Sequence, residues 1–307
     1  MTVAPRPLDL AGARAGAAVY LDATRTRIAL SGDDRFRWLN GIVSNDVLAL
    51  EKGKGHRALY ACALTEKGKI LGDLVIVCTG DELAVWAPSA VAPTLVSHWE
   101  RYIIMDDVEL ALDPERRLVM LQGGQAEDVA HASGIAVRGA AFDDLGVGGG
   151  LLFDIPRAQT EEIVKRLVDQ SAVSLEPEDV HTLRVLAGRA TFGFDFDDKS
   201  YVQEAGLEKR AVNFQKGCYH GQEVVCMLEM RGHVNKRLVQ LAIEGDGVQP
   251  GEEVRAGDAA IGKITSIVHE ATANAAIALA IVKLGHAKPG EKVIVGGHAA
   301  EVRSLAG

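Results

Sequence analysis

"RLVQLAI" (237–243), "EEVRAG" (252–257), "AAIGKITSIVHE" (259–270), "AAIALAIVK" (275–283), "EKVIVGG" (291–297) and "AAEVRSL" (299–305) lie in the last quarter of the chain. These runs are short, rich in Ile, Val and Ala, and separated by Gly, Pro and Asp. None carries the three-to-four residue period of a long helix. The pattern predicts a small antiparallel barrel or sandwich from Lys236 onward, with a domain boundary near residue 235.

Upstream the texture is mixed. "TRIAL" (26–30) reads as a strand, followed by Asp33 and Asp34 as N-cap oxygens for a short helix that carries Phe36 and Leu39 and stops near Gly41. "RALYACAL" (57–64) and "KILGDLVIV" (69–77) read as two strands around a hairpin turn centred on Gly68. "EKGK" occurs at 51–54 and again at 66–69, which two turns of similar chemistry explain without a true repeat. Val91, Leu95, Trp99 and Tyr102 share one helical face, with Pro93 near the helix start. "VELAL" (108–112) and "RLVML" (117–121) read as strands. Helices are expected over "QAEDVAHAS", over "TEEIVKRLVDQ" with Ile163 and Leu167 inward, and after Pro177 with Val180, Leu183 and Leu186 on one face. Glycines 146, 148, 149 and 150 precede a strand, not a helix, so they read as a flexible turn and lack the context of a phosphate loop.

With 307 residues, 48% hydrophobic and 24% charged, the chain has the composition of a soluble globular protein of about two or three domains. Its formal charge of −9, without a long basic run, argues against direct nucleic-acid or anionic-membrane binding. No stretch reaches the roughly 18 apolar residues of a membrane span. Arg6, Asp9 and Arg14 interrupt the start of the chain, which argues against a secretory signal, so a cytoplasmic location is expected. Cysteines 62, 78, 218 and 226 form no C-x-x-C pair, and the histidines show no ligand spacing, so a self-contained metal site is not expected.

The chemistry concentrates in "KGCYHGQE" (216–223). If 221–228 form a helix, Cys218 lies just before its N-terminus, where unpaired backbone N–H groups favour an anion, and Lys216 adds positive charge. Those conditions favour a thiolate. Burial as a small hydrophobe is the alternative. Asp73 interrupts an apolar strand. Alternation alone favours an outward, solvated position for it; the other reading is a carboxylate that orients a nitrogen ligand. Glu204 and Glu223 could accept hydrogen bonds from a heterocycle. Arg231, Lys236 and Arg237 suit a ligand's carboxylates, or a solvated linker.

"WLNGIVSNDV" (38–47), "ALTEKGKILGDLVIV" (63–77), "LRVLAGRATFGFDF" (183–196), "QEAGLEKRAVNFQKGCYHGQEVV" (203–225) and "RGHVNKRL" (231–238) stand in the order of the YgfZ family. That family comprises folate-binding relatives of the glycine-cleavage T-protein, an aminomethyltransferase. The resemblance spans roughly residues 20–303, and its most specific element is "KGCYHGQE", which matches K-G-C-Y-x-G-Q-E in full. It implies an α+β protein in which two mixed α/β lobes and a C-terminal antiparallel β-barrel form a T-protein-like ring around a folate site. The corresponding segments are 20–113 and 114–235 for the lobes, with exchange of segments between them allowed, and 236–307 for the barrel.

The resemblance further implies a monomeric tetrahydrofolate-binding accessory protein for iron–sulfur cluster assembly or repair, serving iron–sulfur proteins such as tRNA methylthiotransferases. Cys218 is the family cysteine, flanked by Lys216, Tyr219, Gln222 and Glu223. Glu204 is similar in position to the T-protein glutamate facing the pterin, and Asp73 to the aspartate near the folate's reactive nitrogen. Asp73 thereby keeps a folate-dependent aminomethyltransferase as the alternative. The sequence departs from the family at Val202, where proline is usual, and at Cys226–Met227, where an arginine is frequent and Arg231 is the nearest substitute.

Overall fold

The computed structural model describes residues 10–51, 58–80, 82–137, 139–232, 234–270 and 274–303, with the side chains of residues 231 and 270 outside the description. Most of the first "EKGK" turn, residues 52–54, also lies outside it. Two five-stranded sheets and one closed barrel make up the β-structure.

The first sheet runs Ala58–Leu64, Ile70–Cys78, Leu83–Pro88, Arg25–Ser31, Glu109–Asp113, antiparallel throughout. Its hairpin turns at Gly68, whose φ of 69° lies in the left-handed region that glycine adopts without a Cβ penalty. Helices Arg35–Ile42 and Ala92–Trp99 cover one face. There Trp38 meets Trp99 edge-on at 6.3 Å over Leu39, Leu74, Ile76 and Leu95. Asp34 is the N-cap residue of the first helix, but its carboxylate makes no cap bond. Instead it accepts the Asp107 N–H at 3.0 Å and pairs with Arg37, because the loop 106–108 crosses there. Gly41 sits inside this helix, not beyond its end.

The second sheet takes its strands from distant parts of the chain. Val173–Ser174, Ala18–Asp22, Arg116–Gln122, Gly150–Pro156 and Ala140–Ala141 pair in that order, and only the first pairing is parallel. Helices Ala126–Ser133 and Thr160–Asp169 cover its outer face, the second with Ile163 and Leu167 inward. The inner faces of the two sheets share one core, which includes Tyr20, Met120, Tyr60, Val75 and Trp86. Buried Arg27 ties the sheets together. It donates to Asp154 of the second sheet at 2.8 Å, and to Asp113 at 3.0 Å and Glu82 at 2.8 Å around the first.

The barrel closes from six strands, in spatial order Lys236–Glu244, Ala275–Lys283, Ala259–Glu270, Glu253–Ala256, Lys292–Val295 and His298–Arg303. Val239, Leu241 and Ile243 alternate into its core. The intervening Gln240 points out and donates to the carbonyls of Val185 and Leu186, docking the barrel onto helix Pro177–Leu186. A register shift between Ile264 and Ser266 lets two successive hydroxyls, Thr265 and Ser266, donate to Asp195 at 2.6 and 2.7 Å. Arg184 of the same helix completes that buried cluster at 2.6 Å from Asp195.

Candidate functional site

Asp73 sits opposite Cys62 on the strand pair 58–64 and 70–78. Alternation along a strand usually leaves one face to water, but here both faces are covered: Leu74 and Ile76 by helices, Asp73, Val75 and Val77 by the opposing sheet. The outward position expected for Asp73 is therefore wrong. The residue is 1% exposed. Its Oδ2 accepts from Arg25 Nη2 at 2.5 Å and from Tyr60 Oη at 2.8 Å, while Oδ1 is buried without a partner. A buried carboxylate oxygen left unpaired is costly, which marks it as an atom awaiting a donor.

Asp73 lines a cavity of about 480 Å3 between the two sheets and the helix that docks the barrel. Four arginines (25, 184, 189 and 210) and four acidic residues (Asp22, Asp73, Asp144 and Glu176) line it. Arg25 also meets Asp22 at 3.3 Å and the carbonyl of Asp73 at 3.0 Å. Burial opposes its charge, but Asp73 and Asp22 prevail and hold its pKa above the ordinary value. Tyr20 donates to Asp144 at 2.6 Å. Burial first, then the carboxylates Asp144 and Asp73, raise Tyr20 and Tyr60 respectively, so both phenols remain neutral donors. Burial likewise raises Asp22. Cys62 is raised by burial and by Asp73, which keeps it a thiol and makes it a poor nucleophile. Arg210 stacks over the Tyr60 ring at 4.6 Å. The glycine turn of residues 146–150 is tied down, with Asp143 accepting the N–H groups of Val147 and Gly148 beside the cavity wall at Asp144 and Leu145.

The "KGCYHGQE" loop lies elsewhere, and none of its residues lines this cavity. Lys216 turns inward, donating to the carbonyls of Asn40, Val43 and Asn45 at 2.5, 2.8 and 2.8 Å. Burial pulls its pKa down to about 8, with Asp46 acting in the opposite direction. Its ammonium is thus committed to backbone. Tyr219 is buried with its hydroxyl unpartnered and its ring 5.0 Å from Lys216 Nζ. Burial, then Cys226 and Cys62, raise its pKa. Cys218 is exposed. The following helix spans Gln222–Arg231 with Gly221 as N-cap, so Cys218 precedes it by a full turn of loop. Gln222 and exposed Glu223 open that helix. The N–H of His220 donates to the Gly41 carbonyl, and its ring packs 5.0 Å from Tyr102 and 6.0 Å from His98.

Gly221, with φ 80°, explains the glycine in the motif. A Cβ there would stand 2.5 Å from the Thr65 carbonyl oxygen. Glu204 is buried, accepts the Tyr201 N–H at 3.0 Å, and offers its carbonyl to Leu238 at the barrel's first strand. The Arg231 side chain lies outside the described residues. Among the residues expected from the sequence, then, Asp73 alone stands in the cavity. Its companions Tyr20, Arg25, Tyr60, Asp144, Arg189 and Arg210 were missed. Arg27 on the strand expected over 26–30, with Arg25 immediately before it, was the available signal. Among the described residues, no three His, Cys, Asp or Glu side chains group to hold a metal ion.

Comparison with known proteins places these features. Residues 236–304 match the family model of the glycine cleavage T-protein C-terminal barrel domain. The chain is 27% identical over 276 residues to an aminomethyltransferase of Rubrobacter xylanophilus, covering 83% of this chain and 73% of that one. It is 25% identical over 227 residues to the tRNA-modifying protein YgfZ of Yersinia enterocolitica, covering 70% and 68%. A mitochondrial iron–sulfur cluster assembly factor IBA57 homolog of Chaetomium globosum is 26% identical over 259 residues, 75% of this chain and 57% of that protein. The glycine cleavage system aminomethyltransferase T from Bartonella henselae superposes with a TM-score of 0.82 over 97% of this chain and 88% of its own, at 19% identity. That likeness establishes a T-protein-like fold.

Proposed function

We propose, from the premise that this chain is a YgfZ-like member of the T-protein superfamily, that it is a tetrahydrofolate-binding accessory protein for iron–sulfur cluster assembly or repair. On this reading it acts in the cytoplasm as a monomer, and its clients include iron–sulfur enzymes such as tRNA methylthiotransferases. The observation that carries the reading is the separation of two features. A buried aspartate with one unpartnered carboxylate oxygen lines a ligand-sized cavity, while an exposed thiol sits on a pinned loop outside that cavity's lining.

The residues fit a reduced folate. Asp73 Oδ1 is an unpaired acceptor for the donor edge of a pterin, and the volume suits a small-molecule site. Bound tetrahydrofolate would supply a carrier for one-carbon units. Arg25 and Tyr60 hold the Asp73 carboxylate in place, and Tyr20 and Tyr60 line the cavity beside it. Cys218 is accessible to a partner protein, and one cysteine cannot hold a cluster, whose usual cage takes four ligands. Any cluster or sulfur species it meets is therefore shared with the client.

Asp73 itself favours the second reading, an aminomethyltransferase acting on a lipoyl carrier, because an unpaired carboxylate at the cavity could also handle a proton. Two measurements separate the readings. Calorimetric titration with tetrahydrofolate should show binding to the native protein and at least tenfold weaker binding to Asp73→Asn, whose amide turns an acceptor into a donor toward the cavity. Deleting the gene should lower tRNA methylthiolation, and Cys218→Ser should fail to restore it. Absence of folate binding, or full complementation by Cys218→Ser, sinks the first reading. Release of ammonia and methylene-tetrahydrofolate from an aminomethyl-lipoyl carrier would establish the second.

A further inference from the structure

The four cavity arginines are not equivalent. Arg25 is paired with Asp22 and Asp73. Arg184 is paired with Asp195 and also donates to Ser266 at 2.8 Å. Arg210 stacks on Tyr60 and reaches the Asp143 carbonyl at 3.4 Å. Arg189 has no such arrangement. Its Nε and Nη1 atoms are buried with no hydrogen-bond partner, and its guanidinium forms no ion pair among the described residues. Asp143 and Asp144, the carboxylates that favour its charge, hold other partners: Asp144 accepts from Tyr20, and Asp143 from the N–H groups of Val147 and Gly148.

A guanidinium stays charged, so it cannot escape this position by losing a proton. Burial first, then the neighbouring charge of Arg210, act against it, and Asp143 and Asp144 offset only part of this. The backbone is also shaped around this side chain. A Cβ on Gly146 would stand 2.7 Å from Arg189 Nε, so a glycine with φ 71° leaves the guanidinium its place. Leucine or methionine at position 189 would fill the same space without a half-buried, unpaired charge.

We infer that Arg189 is the anion-recognition residue of the central cavity, and that it takes a carboxylate of the bound ligand while Asp73 takes a hydrogen-bond donor of the same molecule. The site thus selects a ligand that carries a donor edge and an anionic arm over one that carries the donor edge alone. This rests on the folate reading and adds a requirement to it: the acidic tail, and not only the ring, is recognised from inside the cavity.

The test is anaerobic calorimetric titration of the native protein, Arg189→Leu and Arg189→Lys with two probes. One is tetrahydrofolate, and the other is 6-methyltetrahydropterin, which has the ring without the glutamate-bearing arm. Arg189→Leu should weaken tetrahydrofolate binding by about 10- to 100-fold, the loss of a charge-assisted pair, and leave the pterin affinity within about twofold. Arg189→Lys should recover part of the loss. Without ligand, the melting temperature of Arg189→Leu should equal or exceed that of the native protein, since a half-buried charge without an ion-pair partner is removed. Unchanged tetrahydrofolate affinity in Arg189→Leu, equal losses for both probes, or a lowered melting temperature overturns the assignment while leaving folate binding intact. If the native protein binds neither probe, the folate reading falls and the assignment falls with it.

Discussion

Replacing Lys216 by methionine keeps the aliphatic stem and removes the three donors that hold the Asn40, Val43 and Asn45 carbonyls. The size of the effect is a contest between two terms. Charge-assisted hydrogen bonds contribute about 1.5 kcal/mol each at the low end, so three are worth roughly 5 kcal/mol. Against them stands the burial of the ammonium, which pulls its pKa from 10.5 to about 8. At full burial that difference corresponds to roughly 3 kcal/mol, and for a half-buried side chain it falls to about 2. The hydrogen bonds win by about 3 kcal/mol. Lys216→Met should therefore lower stability by that amount, or the melting temperature by roughly 6–10 °C.

Tryptophans 38, 86 and 99, the chain's three, all lie in the first-sheet lobe that receives Lys216, so urea unfolding followed by tryptophan fluorescence reads the affected region directly. Hydrogen exchange should quicken over residues 213–221 in the same variant. The sequence placed Lys216 as the source of thiolate character at Cys218, whereas the structure spends its charge on backbone. A variant within 0.5 kcal/mol of the native protein, with Cys218 alkylated markedly more slowly, would refute the clamp and restore the earlier assignment.

Two further outcomes follow from single contacts. Gly221→Ala forces a Cβ to 2.5 Å from the Thr65 oxygen at φ 80°, and should cost at least about 2 kcal/mol in urea unfolding; a loss under 0.5 kcal/mol would show that the turn can shift. Burial, then the nearby His220, hold His98 below its ordinary 6.5. The unfolded chain therefore binds a proton in a window just below pH 6.5 that the folded protein refuses, and stability should fall as pH drops through it. His220→Gln should raise the His98 pKa in an NMR titration, and an unmoved value would deny the coupling.

The barrel strands were legible because they are short, alternating and bounded by turn residues, although the pairing of Lys236–Glu244 with Ala275–Lys283 and His298–Arg303 is not local and left no such signal. The Gly68 hairpin and the helices that place Ile163, Leu167 and Leu183 inward were legible for the same reason: a period of two or 3.6 reports which face is covered. Asp73 defeated that logic, since an alternating strand does not announce that both of its faces will be buried. The second sheet joins Ala18–Asp22 to strands about 100 and 150 residues away, and no local signal carries such a pairing.

By itself the sequence determined the α+β class, the C-terminal antiparallel barrel and the singularity of the "KGCYHGQE" loop. Only the tertiary structure decided what those polar residues do. Lys216 meets carbonyls more than 170 positions away, Tyr20 meets Asp144 across 124, and Arg25 meets Asp73 across 48. Whether a buried charge is paired or left open, as for Arg25 against Arg189, depends on what converges on it through space. Spacing along the chain holds no record of that convergence.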